Sequence, residues 1–230
     1  MNSTWLRVSL VVAFASAMAF SQSTYSNINA LSGWQSCGSC AGPGGSGPNT
    51  PRSLTLGIAS PSLDGKSARF SIAPIQSFSN ALWWKQLGGT SANNLIYDFF
   101  IYIKNPGASQ ALEFDVNQAS NGVRHIFGTE CDLLGAHGWR VYGNGRWNST
   151  GVTCALKAGQ FNHVVWEFSR ANGGTHFVSI TVNGVKHMIN RTYPARSSSS
   201  HELNVAVQMD GNASRTAYSI FLDEIKLTTF

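Results

Sequence analysis

The chain has 230 residues, enough for one domain with a sizeable core, and carries a net charge of +5 with only 12% charged residues. Its basic residues are scattered, from Arg52 and Lys66 to Lys157 and Arg170, so the concentrated stripe that a nucleic-acid partner needs is missing. With 7 Trp, 6 Tyr and 13 Phe beside so few charges, the surface must be rich in Ser, Thr, Asn, Gln and Gly, which suits neutral hydroxylated partners.

Arg7 precedes an apolar run from Val8 to Phe20, and Ala17-Met18-Ala19 supplies small residues at the spacing of a cleavage signal. Residues 1–21 therefore read as a secretory signal peptide. The run is shorter than the roughly 20 residues that a membrane-spanning helix requires. No second run reaches that length, so no span is expected in the mature chain. The expected location is secreted, periplasmic or at the cell surface. Residues 22–51 follow as a flexible Gly/Pro-rich tail that contains Cys37 and Cys40.

From residue 52 onward, short strand-like runs come in quick succession. They are Ser53–Ile58, Ser67–Ile72, Ala81–Lys85, Asn94–Lys104, Ala111–Asn117, Val123–Phe127 and Gly138–Tyr142. Phe161–Arg170, Phe177–Asn190, Leu203–Asp210 and Tyr218–Leu227 complete the series, with Asn183-Gly184 at the apex of a hairpin. Short runs at roughly 8–12-residue spacing, parted by Gly, Asn, Ser and Pro, predict an all-β sandwich or barrel. A helical apolar period appears nowhere. Trp83 and Trp84 must point to opposite faces of their strand, one of them into the core.

An exported chain with four cysteines favours disulfides, and three full pairings are open. The expected pairs are Cys131–Cys154, closing a loop that holds Trp139, Tyr142 and Trp147, and Cys37–Cys40. The latter has the spacing of a redox motif, yet its Gly/Pro/Ser-rich surroundings show no helix to activate a thiolate. A zinc site would want a second Cys-x-x-Cys, which is absent.

The strand order of the last seventy residues, with its Val182-Asn-Gly184 and Leu222-Asp-Glu-Ile225 punctuation, resembles the second half of a concanavalin A-like (laminin G/lectin/glucanase) jelly roll. The resemblance implies an antiparallel jelly-roll β-sandwich over residues 52–230, with a shallow polar groove on one sheet where sugars bind. Within it, Leu112-Glu-Phe-Asp-Val-Asn-Gln118 alternates, so Leu112, Phe114 and Val116 face the core while Glu113, Asp115 and Asn117 face outward. This stretch is similar to the active-site strand of laminarinase-type β-glucanases, whose pattern is Glu-x-Asp-x-x-Glu. Glu113 and Asp115 match the first two positions, and Gln118 stands where the acid/base glutamate is expected. An amide cannot protonate a leaving group or activate water, so no catalytic residue is assigned. The motifs of jelly-roll polysaccharide lyases are absent, although Arg124, His125, His163 and Tyr142 supply suitable residue types.

Glu113, Asp115, Asn117 and Gln208, with Trp139, Tyr142 and Trp147 nearby, are the candidate sugar contacts. Gln208 joins them because Val205, Val207 and Met209 claim the core side of its strand. The expected partner is a poly- or oligosaccharide. No cofactor is expected. Asp132, Asp210 and Asn212 offer oxygen ligands for a structural calcium ion, but the chain is poor in closely spaced acids. The leading expectation is an exported, non-catalytic, lectin-like protein. The alternatives are a divergent polysaccharide-cleaving enzyme and a surface protein-interaction domain.

Overall fold

The computed structural model describes residues 22–39, 49–170 and 173–230. The expected signal peptide and Cys40 lie outside these residues, so the Cys37–Cys40 pairing does too.

In chain order the strands are β1 (Ser23–Tyr25), β2 (Gln35–Cys37), β3 (Arg52–Ile58), β4 (Ser67–Ile72), β5 (Asn80–Gly88), β6 (Asn94–Ile103), β7 (Ser109–Ser120), β8 (Val123–Phe127) and β9 (Thr129–Asp132). They continue as β10 (Gly138–Gly143), β11 (Arg146–Thr153), β12 (Phe161–Ser169), β13 (Thr175–Val182), β14 (Val185–Tyr193), β15 (Arg196–Ser197), β16 (Glu202–Gly211) and β17 (Tyr218–Thr229). One sheet runs β14-β13-β12-β6-β17-β4-β3, with β1 also paired to β17. The other runs β11-β10-β9-β7-β16-β5-β2, with β8 also on β7 and β15 on β8. The two antiparallel sheets form the expected sandwich, with jelly-roll topology.

Alternation along each strand fills the space between the sheets. On β6, Leu95, Tyr97, Phe99, Ile101 and Ile103 are buried while their neighbours are half-exposed. Aromatic rings bridge the layers. Phe99 lies 4.6 Å from Phe114, Phe70 lies 5.4 Å from Trp83, and Trp139 meets Trp166 edge-on at 5.8 Å. Such pairs prefer offset or edge contacts because ring faces are negative and ring edges positive. Trp83 is the core member of its pair, as alternation requires, and Trp84 is half-exposed.

Asn-Gly turns close three hairpins. Asn121-Gly122 joins β7 to β8, Asn144-Gly145 joins β10 to β11, and Asn183-Gly184 joins β13 to β14. Both residues of each turn have positive φ, the geometry that matches the right-handed twist of the strands.

Residues 22–37 correct the expectation of a flexible tail. β1 pairs with β17, β2 pairs with β5, and Ile28 is fully buried in a short 3-10 turn between them. Asn29, also buried, receives a hydrogen bond on its side-chain oxygen from the Ile225 N–H (2.9 Å) and donates to the Lys66 carbonyl (3.1 Å). Single apolar side chains such as Ile28 and Trp34 carry no periodic signal, yet they fill the edge of the core.

Candidate functional site

A groove of about 420 Å3 opens on the outer face of the nine-stranded sheet. Cross-strand register builds its floor. Gln208 on β16 stands opposite Glu113 on β7, Glu113 opposite Glu130 on β9, and Glu130 opposite Arg140 on β10. One rung of the sheet therefore presents amide, carboxyl, carboxyl and guanidinium in a row. Asp115 lies two residues along β7, and Asp210 two residues along β16, on the same face.

The row is wired together. Gln208 Nε2 donates to Glu113 Oε1 at 2.6 Å and to Asp210 Oδ1 at 3.0 Å. Arg140 Nη2 donates to Glu130 Oε1 and lies 3.3 Å from Asp132 Oδ2. Asp115 Oδ1 accepts the Thr129 N–H at 3.0 Å. Glu130 Oε2 is buried in the floor without a hydrogen-bond partner.

Crowding these carboxyls away from water disfavours their charged forms. Burial, followed by the charges of Asp210, Asp115 and Glu130, pushes Glu113 well above the usual carboxylate range. Burial pushes Asp115 up to about 7 against the pull of its Thr129 hydrogen bond. Asp210 is likewise pushed up to about 7 by burial, against its hydrogen bond from Gln208. Glu130 is raised by burial and drawn back by Arg140.

Aromatic side chains flank the floor. Tyr142 and Trp147 pair across the β10–β11 hairpin, ring centroids 5.4 Å apart. Arg196 approaches from β15, its Nη2 3.3 Å from the Tyr142 hydroxyl. Gly128, between β8 and β9, makes room for this wall, because a Cβ there would sit 2.8 Å from the Tyr142 Cβ. Phe78 stands at the other side of the groove, 59% exposed. Its φ of 59° is unusual for a bulky residue, and its N–H is held by the Gly211 carbonyl at 2.8 Å.

Of the residues named from sequence, the structure brings Glu113, Asp115, Gln208, Tyr142 and Trp147 into the groove. Trp139 is not among them: it is fully buried against Phe114 and Trp166. Alternation along β10 decides this, since Trp139 and Val141 share the core face while Arg140 and Tyr142 share the groove face. Asn117 keeps the face of Glu113 but lies beyond the groove, where its Nδ2 donates to Asn204 Oδ1 at 3.0 Å.

Gln118 does not take the place of a lost acid. β7 pairs with β16 without a bulge from Ala111 to Ala119, so Gln118 faces inward, opposite to Glu113. It is fully buried, and its Nε2 donates to the carbonyls of Thr90 and Ala92 at 3.0 and 2.9 Å. His125 also faces inward, held down to about 4 by burial and by Arg170, while His163 sits on β12 of the other sheet and bonds Asp98 at 2.7 Å.

Sequence reasoning missed Glu130, Arg140, Asp210 as a groove residue, and Phe78. The signal for the first was present: if Cys131 turns inward to its disulfide, Glu130 and Asp132 must turn outward. Cys131 does pair with Cys154, with a Cα–Cα distance of 5.5 Å. The oxygens considered for calcium accept hydrogen bonds within the chain: Asp132 from the Gly135 and Ala136 N–H groups at 2.8 and 2.7 Å, and Asp210 from Gln208 at 3.0 Å. Asn212 caps its own turn by accepting from Ser214 and donating to the Gly107 carbonyl. Among the described residues no group of three His, Cys, Asp or Glu side chains is arranged to hold a metal ion.

No protein-family model matches the sequence, and no curated protein matches it. Solved structures do. An endo-β-1,4-glucuronan lyase from the fungus Trichoderma reesei superposes with a TM-score of 0.53 at 10% identity, over 90% of this chain and 95% of that one. A carbohydrate esterase from the Shiga toxin-encoding bacteriophage phi24B gives 0.52 at 13% identity, over 91% and 99%. The alginate lyase vAL-1 from Chlorella virus gives 0.51 at 12% identity, over 81% and 95%. At these identities the likeness is one of fold, that of a jelly-roll β-sandwich.

Proposed function

We propose that this jelly roll is an exported carbohydrate-binding protein, lectin-like in action, with the groove as its sugar site. The observation that carries the reading is the combination on one sheet face of a hydrogen-bonding floor with aromatic walls. A pyranose ring stacks its C–H face on an aromatic ring, and its hydroxyls bond to carboxyl and amide groups. Gln208, Glu113, Glu130 and Arg140 supply the polar floor, and Trp147, Tyr142 and Phe78 supply the flanks. Neighbours of the same fold that act on glucuronan and alginate support a polysaccharide as the class of ligand. The Cys131–Cys154 bridge fits an oxidising compartment, in keeping with the apolar leader.

The test is a polysaccharide array probed with oxidised protein, followed by calorimetry on any glycan that binds. Trp147→Ala and Phe78→Ala should each weaken binding by about tenfold, the size of one lost stacking contact. Unchanged affinity in both variants would place the site elsewhere. A blank array from a folded protein would favour a protein partner instead.

A second reading, cleavage of the bound chain, is favoured by one feature. Glu113 and Glu130 stand directly opposite each other across β7 and β9, and paired carboxyls with displaced pKa values are the usual agents of glycoside hydrolysis. New reducing ends, lost in Glu113→Gln, would support it.

A further inference from the structure

We propose that the saccharide bound in this groove carries free, protonated amino groups. The assignment rests on the reading of the groove as a carbohydrate site and names the chemical class of its ligand. The chain as a whole is basic, with a net charge of +5, yet the groove gathers Glu113, Asp115, Glu130 and Asp210, with Asp132 beside them on the far side of Arg140. Among the described residues, two guanidinium groups line the groove with them. Arg140 is committed to Glu130 and Asp132, and Arg196 lies over the Tyr142 ring, its Cζ 5.8 Å from the centroid. Among the described residues, Glu113, Asp115 and Asp210 form no ion pair.

Like charges placed opposite one another in a sheet are destabilising. Glu130 Oε2 sharpens the point, since it lies buried in the groove floor with no donor to satisfy it. These acceptors call for a cationic donor from outside the chain. A single metal ion would need the carboxyls to converge, whereas they are spread over three strands and are not grouped to hold one. Spacing of this kind suits an extended ligand with separate charges. An ammonium group offers three N–H donors and no acceptor, the complement of a carboxylate. A neutral sugar gives these raised carboxyls no charge to ionise against, and a polyuronate would oppose their ionisation.

The raised carboxyls make a second property follow. Asp115 and Asp210, held at about 7, are driven to ionise when a cation arrives, so binding releases protons. The charged or titratable groups that face this site are Glu113 and Asp115 from β7, Glu130 from β9, Arg140 and Tyr142 from β10, Arg196 from β15 and Asp210 from β16. Asp132 on β9 joins them through Arg140.

The experiment is titration calorimetry at about pH 6, in two buffers of different ionisation enthalpy, so that proton release is read directly. Three probes of equal length are compared: a β-1,4-linked glucosamine oligomer, its fully N-acetylated form, and an oligouronate. The amino oligomer should bind at least about tenfold more tightly than the acetylated one and release protons, while the uronate should not bind. Asp210→Asn should reduce both the preference and the proton release. Equal or tighter binding of the acetylated or uronate probe would overturn the amino-sugar assignment and leave the carbohydrate reading standing. Silence from all three probes also overturns the assignment, and a blank polysaccharide array beside it would remove the carbohydrate reading as well.

Discussion

Asp115 and Asp210 sit close to half-protonation at neutral pH, since burial holds both at about 7. In the unfolded chain they return to their ordinary value of 3.8. The folded protein therefore binds more protons than the unfolded chain between these values, and stability falls as pH rises through about 7. Glu113, also raised, adds to the trend. His125 works in the opposite direction, but only below its ordinary value of 6.5, because above it the ring is neutral in both states. The clean window is thus about pH 6.5 to 8, where thermal unfolding should move downward by about 2–4 °C for each kcal/mol lost. Asp210→Asn keeps an oxygen to accept the Gln208 hydrogen bond and cannot ionise, so its melting temperature should depend less on pH. A flat wild-type profile would mean that these carboxyls are better solvated than their burial implies.

At the scale of the element, β7 and β9 decide what the groove can do. Alternation in Leu112–Asn117 gave the outward face of Glu113 and Asp115 without any structure, because one side of the strand had to be apolar. The same alternation puts Gln118 inward, provided that no bulge intervenes, and the uninterrupted pairing with β16 shows that none does. Gln118→Glu therefore restores no catalytic acid. It would set a carboxyl against two carbonyl oxygens, those of Thr90 and Ala92, where even the protonated form donates only one hydrogen bond. We expect it to cost about 3 kcal/mol in denaturant unfolding and to yield no glycosidase activity. A stable, active variant would show that the strand changes register. β9 escaped notice because Thr129-Glu-Cys-Asp132 is short and polar, and its strand character comes from pairing with β7 and β10 rather than from its own propensity.

For the molecule as a whole, the Cys131–Cys154 bridge ties the start of the β9–β11 unit to its exit and so fixes the wall that bears Tyr142 and Trp147. Closing a loop with a sequence separation of 23 is worth about 3 kcal/mol through the entropy of the unfolded chain. Cys131→Ala with Cys154→Ala should lower stability by about that amount and loosen the groove wall. Chemical unfolding measures the first effect, and exchange of the β10–β11 amides measures the second. Much of this architecture was legible in the chain. Period-two alternation, Asn-Gly turns and the spacing of the cysteines are local or nearly local signals, and they pointed to an all-β sandwich or barrel, the inward and outward faces of its main strands, and the Cys131–Cys154 bridge as one of three open pairings. Which outward residues share a site is a matter of register between strands far apart in sequence. Only the tertiary structure set Gln208, Glu113, Glu130 and Arg140 on one rung, placed Phe78 across from Trp147, sent Trp139 into the core and folded residues 22–37 onto the sheet edges. Register and edge filling depend on how the two sheets pack together, and no short stretch of sequence contains that information.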